Sequence, residues 1–311
     1  MARRRNPVAQ WAVAWICVAF AKFTELLPLA ACRLLGRFLG RLAYYIVPRI
    51  RTVGMANLDL AYGETLNRAE KRRILKGAAE NVGIVAAEFS KIPKLHGDFL
   101  KRYVTVTGLE LIDFDRGGML ISGHCGNWEW MAPACHGSGY RVAEVVRPLD
   151  HPRFNALVNG TRTAGLDKTI PKESAGPEMI RMLQEGWLVG VLVDQSPRVS
   201  GVPVNFFGAP CWATVAPVMA AVRARVPVYG ISLTRDAHGH YTLSVRTKIE
   251  VKRSNDPQRD LVEYSQRCQD FVESVIREYP EQWLWLHRRW KPRPRLEREW
   301  QKKSERQTKA P

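Results

Sequence analysis

The run Met119-Leu-Ile-Ser-Gly-His-Cys-Gly-Asn-Trp-Glu129 constrains this chain more than any other stretch. An apolar segment of strand length stops abruptly on Ser122-Gly123 and delivers His124 to the rim of a sheet, where open α/β sheets hold their ligands. Gly126 then permits a sharp turn, and Asn127 is a good N-cap for a helix opening through Trp128, Glu129, Trp130 and Met131. Further strand-like runs stand at Tyr103–Val106, Arg141–Val146 and Leu188–Val193, with helical patterns between them. Val226–Leu233 and Tyr241–Ile249 add two more, joined by the turn-rich Asp236-Ala-His-Gly-His240, in which both histidines read as solvated turn residues. This alternation predicts an α/β fold with a mixed, largely parallel central sheet flanked by helices. Ala56–Ser90 reads as mostly helical with Asn67 as a cap, and Gln258–Tyr279 has helical periodicity. Lys291–Pro311 is so rich in charge and poor in apolar residues that disorder is expected there.

The chemistry offered by the first run is that of an acid/base site. On one continuous helix, positions five apart point to different sides, so the turn at Gly126 is what would let Glu129 reach His124. A carboxylate against one ring nitrogen fixes the tautomer, raises the basicity of the other nitrogen and stabilises the imidazolium. With no serine in a G-x-S-x-G elbow, the proton to be removed belongs to a bound hydroxyl. Cys125 adjoins His124, but adjacent side chains of an extended segment diverge, which argues against a cysteine nucleophile. The same spacing also fits a loop histidine followed by an acid that merely favours a helix N-terminus.

With 311 residues and 46% hydrophobic content, the chain can bury one substantial catalytic domain. Its formal net charge of +17 calls for an anionic partner, whether nucleic acid, anionic lipid or phosphorylated glycolipid. No zinc-finger spacing, Rossmann glycine triplet, P-loop or RNP-type strand is present, so nucleic acid and nucleotides are not expected. Cys17, Cys32, Cys125, Cys135, Cys211 and Cys268 are scattered without framework spacing, as for reduced thiols, and neither a disulfide scaffold nor a metal site is expected. Arg3-Arg4-Arg5 precede an apolar run from Val8 to Ala21 that Lys22 and Glu25 interrupt. That run is shorter than the roughly 20 residues needed to cross a bilayer, although a tilted segment extended to Ala31 would reach. Arg33, Arg37 and Arg41 then recur beside Leu34, Leu35, Phe38, Leu39 and Leu42, the pattern of a helix lying in an anionic membrane surface. A cleaved signal peptide is disfavoured because Lys22 and Glu25 break the apolar region where it should abut the cleavage site. Residues 1–50 thus read as a membrane-associated helical segment, single-pass or lying on the surface, 51–292 as the catalytic domain facing the cytoplasm, and 293–311 as a basic tail.

His124-Cys-Gly-Asn-Trp-Glu129 resembles the H-x4-D/E motif of the lysophospholipid acyltransferase superfamily, in the branch of the bacterial lipid A late acyltransferases. Val146-Arg-Pro-Leu-Asp-His-Pro-Arg-Phe154 is similar to that family's "YRP..NP" segment, and Arg162 stands where it carries a second arginine. Val193-Asp-Gln195 resembles its strand-end Asp motif, Val204-Asn-Phe-Phe-Gly208 with Ala213-Thr214 its "FFG...T" segment, and Pro280–Lys291 its "PEQW.W.HRR.K" run. Two departures stand out: Ser196-Pro197-Arg198 after Asp194-Gln195, and Asp150-His151 where asparagine is frequent. The resemblance implies an inner-membrane enzyme that moves a fatty acyl chain from acyl carrier protein, or acyl-CoA, to a hydroxyl of an anionic glycolipid or phospholipid, with no further cofactor. His124 would be the base and Glu129 its orienter, with backbone amides around Gly126 and Asn127 as oxyanion donors. Arg147 and Arg162 would grip phosphate, Asp194 would position an arginine or the acceptor or else simply form a turn, and Phe207 and Gly208 would wall the acyl channel. Trp283, Trp285 and Trp290 suit interfacial or core packing, and His287-Arg-Arg289 suits phosphate or headgroup contact. Other acceptors fit the same motifs, among them a lysophospholipid, a phosphatidylinositol mannoside or an ornithine-type lipid, and a basic protein that binds membrane or nucleic acid without catalysis is the rival from another class.

Overall fold

A computed structural model describes residues 7–149, 151–172 and 175–308. Four helices come first: α1 (Pro7–Leu26), α2 (Leu29–Ile46), α3 (Pro48–Tyr62) and α4 (Arg68–Glu88). The expected cap at Asn67 is present, its side chain accepting from the Ala69 and Glu70 amides while Glu70 accepts from the Asn67 amide at 2.7 Å. The helical stretch expected over 56–90 is therefore two helices. Arg3–Arg5 lie outside the described residues. Among the described residues no helix is long and apolar enough to cross a membrane.

α2 and α4 pack backbone to backbone through glycines. A Cβ on Gly83 would sit 2.1 Å from the Gly36 carbonyl oxygen, and one on Gly40 would sit 2.2 Å from that of Ala79. This close seam changes the expected basic stripe. Arg33 turns inward to pair with Glu88, while Arg41 and Arg37 pair with Glu80 of α4, Arg41 at 2.7 Å. α2 leaves exposed an apolar stripe of Leu34, Phe38, Leu42 and Tyr45 beside Arg37 and Arg41, and α1 exposes Trp15, Ile16 and Phe23. Lys91 donates to the carbonyls of Glu25 and Leu27, satisfying the open C-terminal end of α1.

The body follows as α5 (Gly97–Tyr103), β1 (Val104–Thr107), β2 (Gly118–Ser122), α6 (Trp128–Gly137), β3 (Val142–Val146), α7 (Pro152–Thr163), β4 (Lys168–Pro171), α8 (Ala175–Gln184) and β5 (Leu188–Leu192). After these come β6 (Val202–Phe206), β7 (Ala209–Ala213), α9 (Ala216–Ala224), β8 (Val228–Arg235), β9 (Tyr241–Ile249), α10 (Pro257–Glu278) and α11 (Pro294–Thr308). Seven strands form one sheet in the order β1-β9-β8-β2-β5-β3-β4, parallel throughout except for the β8–β9 hairpin. The expected mixed, largely parallel sheet is thus present. β6 and β7 form a separate hairpin turning at Phe207-Gly208, whose φ angles of 53° and 71° are the left-handed values a two-residue hairpin turn requires.

β2 sits between β5 and β8 and is buried along its whole length, which explains its unbroken apolar run. Met119 and Ile121 face a core shared with α8, α9 and α10, whereas Leu120 faces the opposite core with Trp130 and Met131 of α6. The disorder expected from Lys291 onward is corrected as far as Thr308, where a helix stands; residues 309–311 lie outside the described residues. α11 forms because Leu296 buries itself and Trp300 packs edge-on to Trp212, an amphipathic pattern too sparse to stand out among so many charges.

Candidate active site

β2 and β5 run in parallel with Ser122 opposite Leu192, so His124 and Asp194, each two residues further on, leave the same edge of the sheet together. His124 Nδ1 lies 2.7 Å from Asp194 Oδ1, and the His124 backbone N–H donates to Asp194 Oδ2 at 2.7 Å. The Trp283 indole N–H donates to the same Oδ2, also at 2.7 Å. Burial alone would raise the pKa of this carboxyl, which is only 2% exposed, but His124, the indole and the backbone amide together hold it well below the usual carboxylate range. An ionised carboxylate can only accept, so Nδ1 carries the proton and Nε2 presents its lone pair as an acceptor. Gln195 places its side-chain nitrogen 3.3 Å from Nε2. Burial would depress the imidazole's pKa, yet Asp194, by charge and hydrogen bond, raises it above the ordinary histidine value, with Glu129 adding charge.

The turn carrying His124 is fastened on three sides. Gly126 has φ +70°, and a Cβ there would lie 1.8 Å from the Leu233 carbonyl oxygen, so only glycine fits. Its amide donates to Gln282 O, the Asn127 amide donates to Leu233 O, and the Leu284 amide donates to His124 O. Underneath, Asn127 caps α6 by accepting from the Trp130 amide and donates to the fully buried Glu88, which also accepts from the Tyr241 hydroxyl and pairs with Arg33.

The structure rearranges several expected roles. Glu129 does not bond to His124; Arg162 grips it through Nε and Nη2 at 3.0 and 2.8 Å, a bidentate pair that draws α7 against α6. Asp194 takes the place at the imidazole that the sequence assigned to Glu129. The carboxylate of Glu129 still stands close enough to act on His124 through its charge. Asn127 is wholly buried as a cap, and the Gly126 and Asn127 amides are occupied by carbonyls, so they are not open oxyanion donors. Arg147 is exposed just beyond β3. Phe207 and Gly208 form the β6–β7 turn, with the Phe207 ring among Tyr62, Trp285 and Trp290, and they reach Asp194 at second hand, through the aromatic cluster around Trp283. Arg289 is not a headgroup ligand: it is fully buried and donates to Trp212 O and Gln269. Burial and the neighbouring Asp194 push the Cys125 thiol far up, which keeps it from acting as a thiolate.

Two site residues escaped the sequence reading. Trp283 looked like packing, because nothing local shows that an indole 89 residues away braces Asp194. Glu144 sits on β3 opposite Gly190 of β5, and Leu120 of β2 lies on the far side of that glycine. It lines a cavity of about 20 Å³ with Ser122, Trp128, Met131, Gly190 and Ile231. A lone carboxylate inside the run Val142-Ala-Glu-Val-Val146 was the signal available.

Fold and site together define an α/β protein that presents a histidine paired with an aspartate at the carboxyl edge of its sheet. The chain belongs to the bacterial lipid A biosynthesis acyltransferase family, whose profile matches residues 3–292, and it is therefore an acyltransferase. It is 25% identical over 289 residues to the "Lipid A biosynthesis lauroyltransferase" of Escherichia coli (strain K12), spanning 90% of this chain and 92% of that one. Among solved structures, the 1-acyl-sn-glycerophosphate (LPA) acyltransferase PlsC from Thermotoga maritima matches with a TM-score of 0.40 and 18% identity, over 81% of this chain and 99% of that one.

Proposed function

We propose that the protein is a membrane-bound O-acyltransferase that moves a fatty acyl chain from acyl carrier protein to a hydroxyl of a lipid A precursor or a similar anionic glycolipid. The observation that carries this reading is the His124–Asp194 pair at the strand ends, with Nε2 turned away from the carboxylate and the Glu129–Arg162 pair beside it. His124 Nε2 takes the proton of the acceptor hydroxyl as that oxygen adds to the thioester carbonyl carbon. When the tetrahedral intermediate collapses, the C–S bond breaks and the imidazolium returns its proton to the leaving thiolate. Positioned acid/base groups of this kind contribute about 10²- to 10⁴-fold. Glu129 fixes Arg162, which uses only two of its five N–H donors on that carboxylate and keeps the others for phosphate. Arg147 provides a further cation at the strand ends, suited to an anionic headgroup.

The test is His124→Ala in the full chain, read by mass spectrometry of lipids from cells with and without the protein. Transfer should collapse by about 10²-fold or more with the melting curve preserved, and the mass difference in the wild type reports acyl length and acceptor together. Unchanged turnover in the variant would rule the mechanism out. Glu129→Ala should lower turnover similarly, by freeing Arg162.

A further inference from the structure

The amides expected to stabilise the oxyanion already donate to Gln282 O and Leu233 O, so the reacting oxygen needs another donor. Glu144 stands in the right place. It shares a row across the sheet with Gly190 and Leu120, and because Gly190 has no side chain, the space under α6 between β2 and β3 stays open in front of the Glu144 carboxyl. Ser122, two residues before His124, lines the same space, and so does Trp128, whose ring centroid is 5.4 Å from that of His124. Among the described residues nothing hydrogen-bonds to the Glu144 carboxyl, whereas the two other acidic groups beside His124 are committed: Glu129 to Arg162, and Asp194 to His124 and Trp283. A half-buried acid facing an apolar space with no partner is arranged for a ligand.

We propose that Glu144 is a catalytic residue that acts as a neutral acid, donating a hydrogen bond to the thioester carbonyl oxygen as negative charge gathers there. This rests on the acyl-transfer reading above. Glu144 makes and breaks no covalent bond; the hydroxyl proton still passes to His124 and from it to the thiolate. The charges facing it are Glu129 on α6, Arg162 on α7 and His124 beyond β2. Burial and the charge of Glu129 favour its protonated form, while Arg162 and His124 oppose this; the net result lifts its pKa to about 8. Two carboxyls this close divide the work: Glu129 is held by its arginine and Glu144 keeps its proton.

The experiment is steady-state transfer by the full-length protein in detergent, with acyl carrier protein thioester and a phosphorylated glycolipid acceptor, across a pH series. Glu144→Ala should lower kcat by about 10²-fold with little change in KM. Glu144→Gln, which keeps an N–H donor of similar shape, should recover turnover to within about tenfold of wild type. Wild-type kcat should fall above a pH of about 8 as Glu144 ionises, and this alkaline fall should vanish in Glu144→Gln. Full activity in Glu144→Ala, a Gln variant as slow as Ala, or an alkaline fall that persists in Glu144→Gln each overturns the inference. If the Ala variant melts early, the isosteric Gln profile decides alone. Absence of transfer by the wild type overturns the acyl-transfer reading and this inference with it, whereas transfer that depends on His124 but not on Glu144 overturns the inference alone.

Discussion

Asp194 stays ionised where a buried carboxylate without its partners would not, and that makes the site sensitive to the smallest substitution. In Asp194→Asn the amide can donate to Nδ1, which would put the imidazole proton on Nε2, the atom that must accept. A wrong tautomer of this kind lowers kcat by about 10⁴-fold in the best-studied triad, and a loss of about 10²- to 10⁴-fold is expected here. The pH dependence follows from the same pair. In the proposed reaction His124 must be neutral, and its raised pKa places the ascending limb of activity above the ordinary histidine range; removing the Asp194 charge should move that limb to lower pH. For stability the signs differ. The depressed pKa of Asp194 stabilises the fold above the ordinary aspartate value, and this is lost as pH falls toward the native value; the raised pKa of His124 stabilises it below the ordinary histidine value, and this is lost as pH rises through the native one. The pair therefore contributes fully only between those two ordinary values, and melting temperature against pH for wild type and Asp194→Asn should differ most there. His124 was legible because the strand, the turn and the cap around it are local. Its partner was not, because the two chain segments are 70 residues apart and meet only through the β2–β5 register.

Helix α2 depends on small residues more than on its charges. Since a Cβ at Gly40 would fall 2.2 Å from the Ala79 carbonyl oxygen, Gly40→Leu must separate α2 from α4. Overpacking of this sort costs about 1–3 kcal/mol and should lower the melting temperature, whereas Gly160→Ala, at a position where a Cβ meets nothing within 4 Å, should not. The consequence reaches the site: Arg33 of α2 pairs with Glu88 at the end of α4, and Glu88 holds the Asn127 cap below the His124 turn. Gly40→Leu should therefore also reduce turnover in the fraction that remains folded. From sequence, Arg33, Arg37 and Arg41 formed one basic stripe, which was true of the helix but not of what it faced. Their pairing with Glu80 and Glu88 depends on which side of α2 the glycine seam turns inward, a packing choice that a single helix pattern does not carry. α11, beyond the residues matched by the family profile, reaches back instead: Arg293 just before it donates to Ser196 in the loop after Asp194.

At the scale of the molecule, a net charge of +17 coexists with an exposed apolar stripe on α1 and α2, where Leu34 is 67% and Phe38 59% exposed. Such a surface suits an anionic bilayer that takes the apolar side chains while the wider basic surface meets the headgroups. Binding to vesicles containing anionic lipid should exceed binding to neutral ones, weaken as salt is raised, and drop in a Leu34→Asp, Phe38→Asp double variant; sedimentation that is equal for both vesicle types and for the variant would exclude this face. What the chain determines by itself is the local part of this design: apolar runs long enough for buried strands, the Asn67 and Asn127 caps, the Gly126 turn, and a histidine delivered to a sheet edge. These depend on neighbours in sequence, whose sterics and hydrogen bonds are set within a few residues. Only the tertiary structure decided that Asp194 rather than Glu129 meets the imidazole, that Trp283 braces it, that Glu129 is given to Arg162, and that Glu144 opens into the space beneath α6. Each of those choices rests on parallel strand register and helix packing between distant segments, where a shift of one residue would turn every side chain to the opposite face.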